Sequence, residues 1–189
     1  MKPLLMKSLL LLACCLPGEL NADTADPLVV EARGIVQKFF GSLKDELQSV
    51  IKEAGPVAAI SICKLKAPRI SKEFSMLSGW YVARTSLKLR SPHNEPDAWE
   101  TKVMQGFEAR KAAGEPVSKL EYAERLQIDG KQIFRYMKAI EIQELCLNCH
   151  GTQVKPEIAI ILDLLYPKDQ ARGFEVGDIR GAFSLAKPY

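Results

Sequence analysis

The sequence of 189 residues predicts an α+β fold, in which helices flank a small antiparallel sheet. Three observations lead to this prediction. Apolar residues recur at three-to-four spacing over a long segment that begins at Pro27, as in an amphipathic helix. Asp129-Gly130 separates two alternating segments and is the strongest short-range signal for a β-hairpin. Helices clustered around such hairpins favour an α+β arrangement over a doubly wound parallel sheet.

The N-terminal segment from Met1 to Ala22 has the features of a secretory signal peptide. Lys2 and Lys7 precede an apolar stretch that is too short to span a membrane. We therefore expect cleavage after Ala22, export to the periplasm, and one domain formed by residues 23–189. An alternative stays open, because Leu11-Leu12-Ala13-Cys14 resembles a lipobox. On that alternative, Cys14 carries a lipid that anchors the protein to the membrane.

A long helix is expected from Pro27 to about Lys52, capped by Asp26 and ended by Gly55-Pro56. Its extended apolar stripe suits packing on the domain or pairing with a second copy, so a homodimer through this helix is possible. The spacing then predicts a second helix from Pro56 towards Lys66 that stops near Ala67-Pro68, with Cys63 on its inward face beside Ile60. A short third helix is expected from Arg69 to Phe74.

Alternation of side chains predicts a strand from Gly79 to Arg90, one face of which carries Arg84, Lys88 and Arg90. Asp97 is placed to cap a helix from Ala98 to about Ala113. The remaining expected elements are the hairpin strands Lys119 to Gln127 and Lys131 to Ile142, a helix from Pro156 to Leu165, and a last strand from Asp178 to Ala186.

The overall charge of the chain is nearly balanced. The chain has 26 basic and 23 acidic residues and a net charge of +3. This balance gives no indication of a nucleic-acid partner or of a polybasic membrane-binding surface.

The motif Cys146-Leu147-Asn148-Cys149-His150 is the pattern that attaches a c-type haem. Both thiols add to the porphyrin and the histidine ligates the iron, so one covalent haem is expected. The competing interpretations are a redox pair of cysteines and half of a zinc site. Zinc needs four ligands, and few cysteines and histidines remain elsewhere in the chain. With Cys14 and Cys15 in the signal segment, Cys63 has no thiol partner and is either buried or bound to something.

Several segments, taken in order, resemble the PAS-like c-type haem domains, a family found as single-haem cytochromes and as sensor regions ahead of signalling kinases. The resemblance extends from about Leu28 to Pro188. Its segments are Cys63 to Pro68, Arg84 to Arg90, Pro92 to Glu100, Cys146 to His150, and Gly177 to Ala182.

This resemblance implies a PAS-like antiparallel sheet and a haem held between His150 and a cysteine thiolate, a role that Cys63 can fill. Cys63 as an inert core residue remains an alternative. So does a sixth ligand from another side chain, for which the candidates are Met76, Met104, Met137 and His93. Candidates to bind the haem propionates are Arg84, Lys88 and Arg90, since guanidinium groups suit carboxylates. The alternative is that these three residues are solvent-exposed charges on a strand.

The function expected from these observations is that of an exported single-haem sensor of redox state or of a small ligand, acting through a partner protein. The alternative is a soluble periplasmic electron-transfer cytochrome with a redox partner. No enzymatic activity is expected. Peroxidase chemistry needs an open iron face and an acid–base group, and Cys63 would block that face while His93 is the only candidate imidazole.

Overall fold

The structure is a computed structural model, and it describes residues 26–189. The expected signal peptide, its cleavage site and Cys14 lie outside the described residues. In chain order the helices and strands are α1 (Pro27–Ser78), β1 (Tyr81–Thr85), α2 (Ala98–Ala112), β2 (Glu121–Ile128), β3 (Lys131–Glu141), α3 (Leu147–His150), α4 (Pro156–Leu165) and β4 (Ile179–Pro188).

Helix α1 consists of two arms separated by Gly55, whose φ of 81° and ψ of 171° are not helical. The first arm comprises residues 27–54 and the second arm residues 56–78. Asp26 caps the first arm by accepting a hydrogen bond from the Leu28 N–H at 2.9 Å, and Pro27 follows in the first turn. The expected break at Gly55-Pro56 is therefore confirmed.

The second arm differs from the expectation, because the predicted second and third helices are one continuous helix. Pro68 lies inside this helix instead of ending it. Proline removes one backbone hydrogen bond, but tertiary contacts can outweigh such a local preference. Here Ala67 is buried and the Ser71 hydroxyl is bonded to strand β1. Gly79 ends the arm in the left-handed conformation.

The four strands form one antiparallel sheet in the order β1-β4-β3-β2. Strands β2 and β3 are joined by Asp129 and Gly130, whose φ values of 50° and 75° fit a type I′ hairpin turn. The predicted α+β class, antiparallel sheet and long N-terminal helix are confirmed.

One predicted strand was too long. Strand β1 ends at Thr85, and the chain leaves the sheet at Ser86, whose hydroxyl binds the Lys88 and Arg180 carbonyls at 2.9 and 2.8 Å. These hydrogen bonds take the place of strand pairing after Thr85. Alternate residues beyond this point therefore no longer lie on one face of the sheet. The prediction that Arg84, Lys88 and Arg90 share one strand face was therefore wrong.

The two faces of the sheet are covered by different helices. The first arm packs on one face through a cluster that includes Phe39, Trp80 and Phe183. Helix α2 packs on the opposite face through Met104 and Phe107. The second arm contacts α4 through Ile60, which packs with Ile158 and Leu162. Among residues 26–189, no helix combines the length and the apolar character needed to cross a bilayer.

Strand β1 lies at an edge of the sheet, and the second arm covers this edge. The Val82 N–H donates to the Ser75 hydroxyl at 2.9 Å, while the Ser71 hydroxyl donates to the Val82 carbonyl. Both backbone groups of Val82 are thus bonded to the second arm.

Candidate metal centre

The Cys146 to His150 motif forms a short turn and the helix α3 directly after β3. Both cysteines are half-buried free thiols. Gly151 follows, and an added Cβ there would lie 2.7 Å from the Leu147 carbonyl, which explains the glycine. Backbone hydrogen bonds of 3.0 Å from Phe174 to His150 and 3.1 Å from Gly173 to Gly151 hold the motif against the segment that precedes β4.

His150 is half-buried and held in one orientation. Its Nδ1 lies 2.7 Å from the Ala171 carbonyl oxygen, a distance that places a proton on Nδ1 and leaves the lone pair on Nε2. Burial lowers the pKa of His150 well below its ordinary value, and the cations of Arg180 and Arg90 lower it further. The imidazole is therefore neutral at neutral pH, the form that ligates metals.

Arg90 is bonded to the motif and to a buried carboxylate. Its Nε and Nη2 donate to the two oxygens of Asp169, each at 3.1 Å. Its Nη2 also donates to the Cys149 carbonyl at 2.6 Å and to the Ala171 carbonyl at 3.1 Å. Its Nη1 lies 3.5 Å from His150 Nε2, which is long for a hydrogen bond. Propionate binding by Arg90 stays a prediction. Its hydrogen bonds also connect the motif to the segment that contains Ala171.

Arg180 belongs to the site and was not among the residues singled out from the sequence. In the pairing of β3 with β4, Ile140 faces Gly181 and Glu141 faces Ile179, so Arg180 is the extra residue of a bulge. Its Nη1 donates to the Ser86 hydroxyl at 2.7 Å, and its Nε lies 3.2 Å from His150 Nδ1.

Burial lowers the pKa of Arg180 to about 10, with smaller contributions from the cations of Arg90 and Arg84. A glycine inside an expected strand can mark a bulge, and Gly181 was the available signal for this residue.

Cys63 lies on the second arm and is half-buried. Burial raises the pKa of its thiol, the Arg84 cation lowers it, and Cys149 raises it. These groups are therefore close enough to interact electrostatically. The structure thus brings Cys63 into the neighbourhood of the motif, although 83 to 87 residues separate them in the sequence.

Arg84 pairs with Phe183 and lies on the sheet face that α1 covers. Burial lowers the pKa of this guanidinium, while the negative forms of Cys63 and Tyr166 raise it. Within residues 26–189 it has no hydrogen-bonded or ion-paired partner. A half-buried cation without a carboxylate favours a nearby anionic group.

The other predicted residues are more dispersed. The Lys88 ammonium lies 4.9 Å from the centre of the Phe174 ring. His93 is exposed in a short turn, and Met76 is 69% exposed on the second arm. Met104 and Met137 are buried in the core cluster beneath α2. In the part of the chain that the structure describes, no three His, Cys, Asp or Glu side chains form a self-contained metal site.

The fold and the site define an antiparallel sheet domain in which a neutral histidine and two motif cysteines lie near Cys63 of the second arm. The chain belongs to the Tll0287-like family, whose model matches residues 22–188. This membership confirms the resemblance inferred from the sequence.

Among solved structures, the chain is similar to the crystal structure of the cyanobacterial heme-protein Tll0287. The two are 23% identical with a TM-score of 0.61, and the match covers 87% of this chain and 97% of that one. At this identity the similarity supports the fold. No curated protein matches the chain.

Proposed function

We propose that this chain is an exported c-type haem protein that carries one haem, bound covalently by Cys146 and Cys149 and ligated by His150 and Cys63. In this proposal it serves as a sensor of redox state or of a small ligand and acts through a partner protein. The family membership and the heme-protein among its relatives support a haem protein.

The observation that carries the proposal is the state of His150. Directly after the second cysteine, a neutral imidazole donates its Nδ1 proton to the Ala171 carbonyl and keeps the lone pair of Nε2 for a metal. This is the arrangement by which proteins orient an iron-binding histidine. The donor set of two thiols next to a prepared imidazole therefore fits a c-type haem.

Cys63 and Arg84 fit the same group. A thiolate ligand stabilises ferric iron and lowers its reduction potential. The unpartnered Arg84 guanidinium lies within electrostatic reach of Cys63 and would offset the charge of a thiolate or of a propionate. When bound, the haem supplies an iron that changes oxidation state and accepts small ligands.

The position of Cys63 favours sensing. Its arm packs on α4 through Ile60 and bonds to strand β1 through Ser71 and Ser75. A change in the bond made by Cys63 would therefore act on an element that contacts both α4 and the sheet. If the arm shifts between two arrangements when this bond changes, it can pass a local ligand change to a partner.

The test of the iron ligands is the ferric absorption and electron spin resonance spectrum. Cys63→Ala should replace the thiolate-type low-spin spectrum by a high-spin or altered low-spin one. Ser61→Ala, an exposed position on the same arm, is the matched control and should keep the wild-type spectrum. An unchanged Cys63→Ala spectrum would refute the assignment of Cys63.

A second measurement separates sensing from electron transfer. A sensor should bind carbon monoxide or nitric oxide in the ferrous form and lose its thiolate character. A spectrum that is indifferent to both gases would instead indicate an electron-transfer cytochrome. Peroxidase turnover is expected to be absent in either case.

Export is tested on the protein purified from a bacterial host. Mass spectrometry should find an N-terminus at Asp23, whereas a lipid on Cys14 would indicate the anchored alternative.

A further inference from the structure

Asp169 is a buried carboxylate in the segment between α4 and β4, with a side chain only 2% exposed. Its Oδ1 accepts hydrogen bonds from Arg90 Nε at 3.1 Å and from the Ala171 N–H at 2.9 Å. Its Oδ2 accepts from Arg90 Nη2 at 3.1 Å and from Arg172 Nε at 2.9 Å. Burial alone would raise the pKa of Asp169, but these hydrogen bonds hold it below its ordinary value. The group is therefore a fully bonded anion.

The hydrogen bonds of Asp169 converge on Ala171, a fully buried residue. Asp169 holds the Ala171 N–H directly and positions Arg90, which donates to the Ala171 carbonyl at 3.1 Å. The same carbonyl accepts the Nδ1 proton of His150 at 2.7 Å. The location of this acceptor, and with it the orientation of the imidazole, thus depends on Asp169.

We propose that Asp169 is the positioning residue for the iron-binding His150. The inference rests on the proposed function, in which His150 ligates the haem iron. A well-placed acceptor on Nδ1 makes the imidazole a stronger donor at Nε2, which favours ferric iron. Asp169 therefore tunes the iron through Ala171 and Arg90 without touching the haem.

Asp163 on α4 offers a matched control. It also pairs with Arg172, whose Nη2 donates to it at 2.5 Å, but it is 69% exposed. Asp169→Asn and Asp163→Asn each remove one negative charge beside the same arginine. Only the first change disturbs the hydrogen bonds to Arg90 and Ala171.

The readouts are the midpoint potential of the purified haem protein and the iron–histidine stretching band, measured by resonance Raman spectroscopy of the ferrous form in a Cys63→Ala background. Losing an outer hydrogen-bonding partner of a metal ligand typically costs about 10–100-fold in metal affinity or activity, and we take the lower value. We expect Asp169→Asn to lower the ferric-to-ferrous ratio about tenfold at fixed potential, a rise of about 59 mV for one electron. The stretching frequency should fall, and Asp163→Asn should match the wild type in both readouts.

Equal potentials and equal stretching frequencies in the two variants would overturn the role of Asp169 while leaving the proposed function intact. A wild-type protein without covalent haem in the pyridine haemochrome assay would overturn both. If Asp169→Asn cannot be isolated with haem, Asp169→Glu is measured instead. The longer side chain displaces the carboxylate from Ala171, and wild-type values in both readouts would then refute the proposal.

Discussion

Replacing Gly181 with alanine should destabilise the protein through a contact that can be located in advance. Gly181 has a φ of 158°, and a Cβ added there would lie 2.3 Å from the Thr85 carbonyl oxygen and 3.1 Å from the Ser86 Cβ. Both contacts involve the end of β1 and not a flexible side chain, so strand β4 or strand β1 must shift. Overpacking of this kind costs about 1–3 kcal/mol. A loss of about 2 kcal/mol lowers the melting temperature of a chain of this length by about 4–8 °C.

The assay is unfolding by urea and by heat, compared with Gly34→Ala. Gly34 lies within the first arm, and nothing is within 4 Å of its added Cβ. Alanine in a helix interior should stabilise by about 0.5–1 kcal/mol relative to glycine. The two substitutions therefore have opposite predicted signs. A Gly181→Ala protein as stable as the wild type would show that the sheet yields at the bulge without cost.

Three further predictions concern stability. Phe39→Ala removes a fully buried ring between the first arm and the sheet and should cost about 3–5 kcal/mol in urea unfolding; a loss under about 1 kcal/mol would contradict the packing. Asp97→Ala removes the capping box of α2 and should lower the free energy of unfolding by about 1 kcal/mol, with a matching loss of helical circular dichroism on heating. Burial alone would raise the pKa of Glu121, but hydrogen bonds from Arg33 and Tyr136 hold it below 4.5. Its contribution is therefore fully present above about pH 4.5 and is lost as the pH falls below that value. Between about pH 6 and about pH 3, the free energy of unfolding should fall less for Glu121→Gln than for the wild type. Equal decreases would refute this role of Glu121.

The sequence was most informative where a structural signal is local. The β2–β3 hairpin follows from Asp129-Gly130, because few other dipeptides accept two successive positive φ angles. The end of the first arm follows from Gly55-Pro56 for a similar reason. Both are properties of a few adjacent residues and need no knowledge of the tertiary structure.

Predictions that depended on distant contacts were less successful. Side chains alternate through Arg90, yet β1 ends at Thr85 because Ser86 finds partners at Lys88 and at Arg180. Nothing in the sequence near Ser86 reveals the second of these partners. Pro68 likewise was expected to end a helix that its packing continues.

The candidate site divides in the same way. The motif of Cys146, Cys149 and His150 can be recognised from adjacent residues of the sequence. The groups that orient His150 come from separate segments. Arg180 lies beside the His150 ring at a strand bulge, and Asp169 acts on the ring from a loop through Ala171. No spacing rule relates either residue to the motif. Gly181 was the one local hint, since glycine within a strand often accompanies a bulge.

The serine hydroxyls that bond to Val82 also bear on self-association. An exposed strand edge offers unpaired N–H and C=O groups to any other extended chain, and natural proteins protect such edges from aggregation. At β1 the hydroxyls of Ser71 and Ser75 already occupy both backbone groups of Val82. An incoming strand would have to displace them before it could pair there. The second arm therefore protects this edge of the sheet against fibril-like growth, and the same arm places Cys63 near the motif.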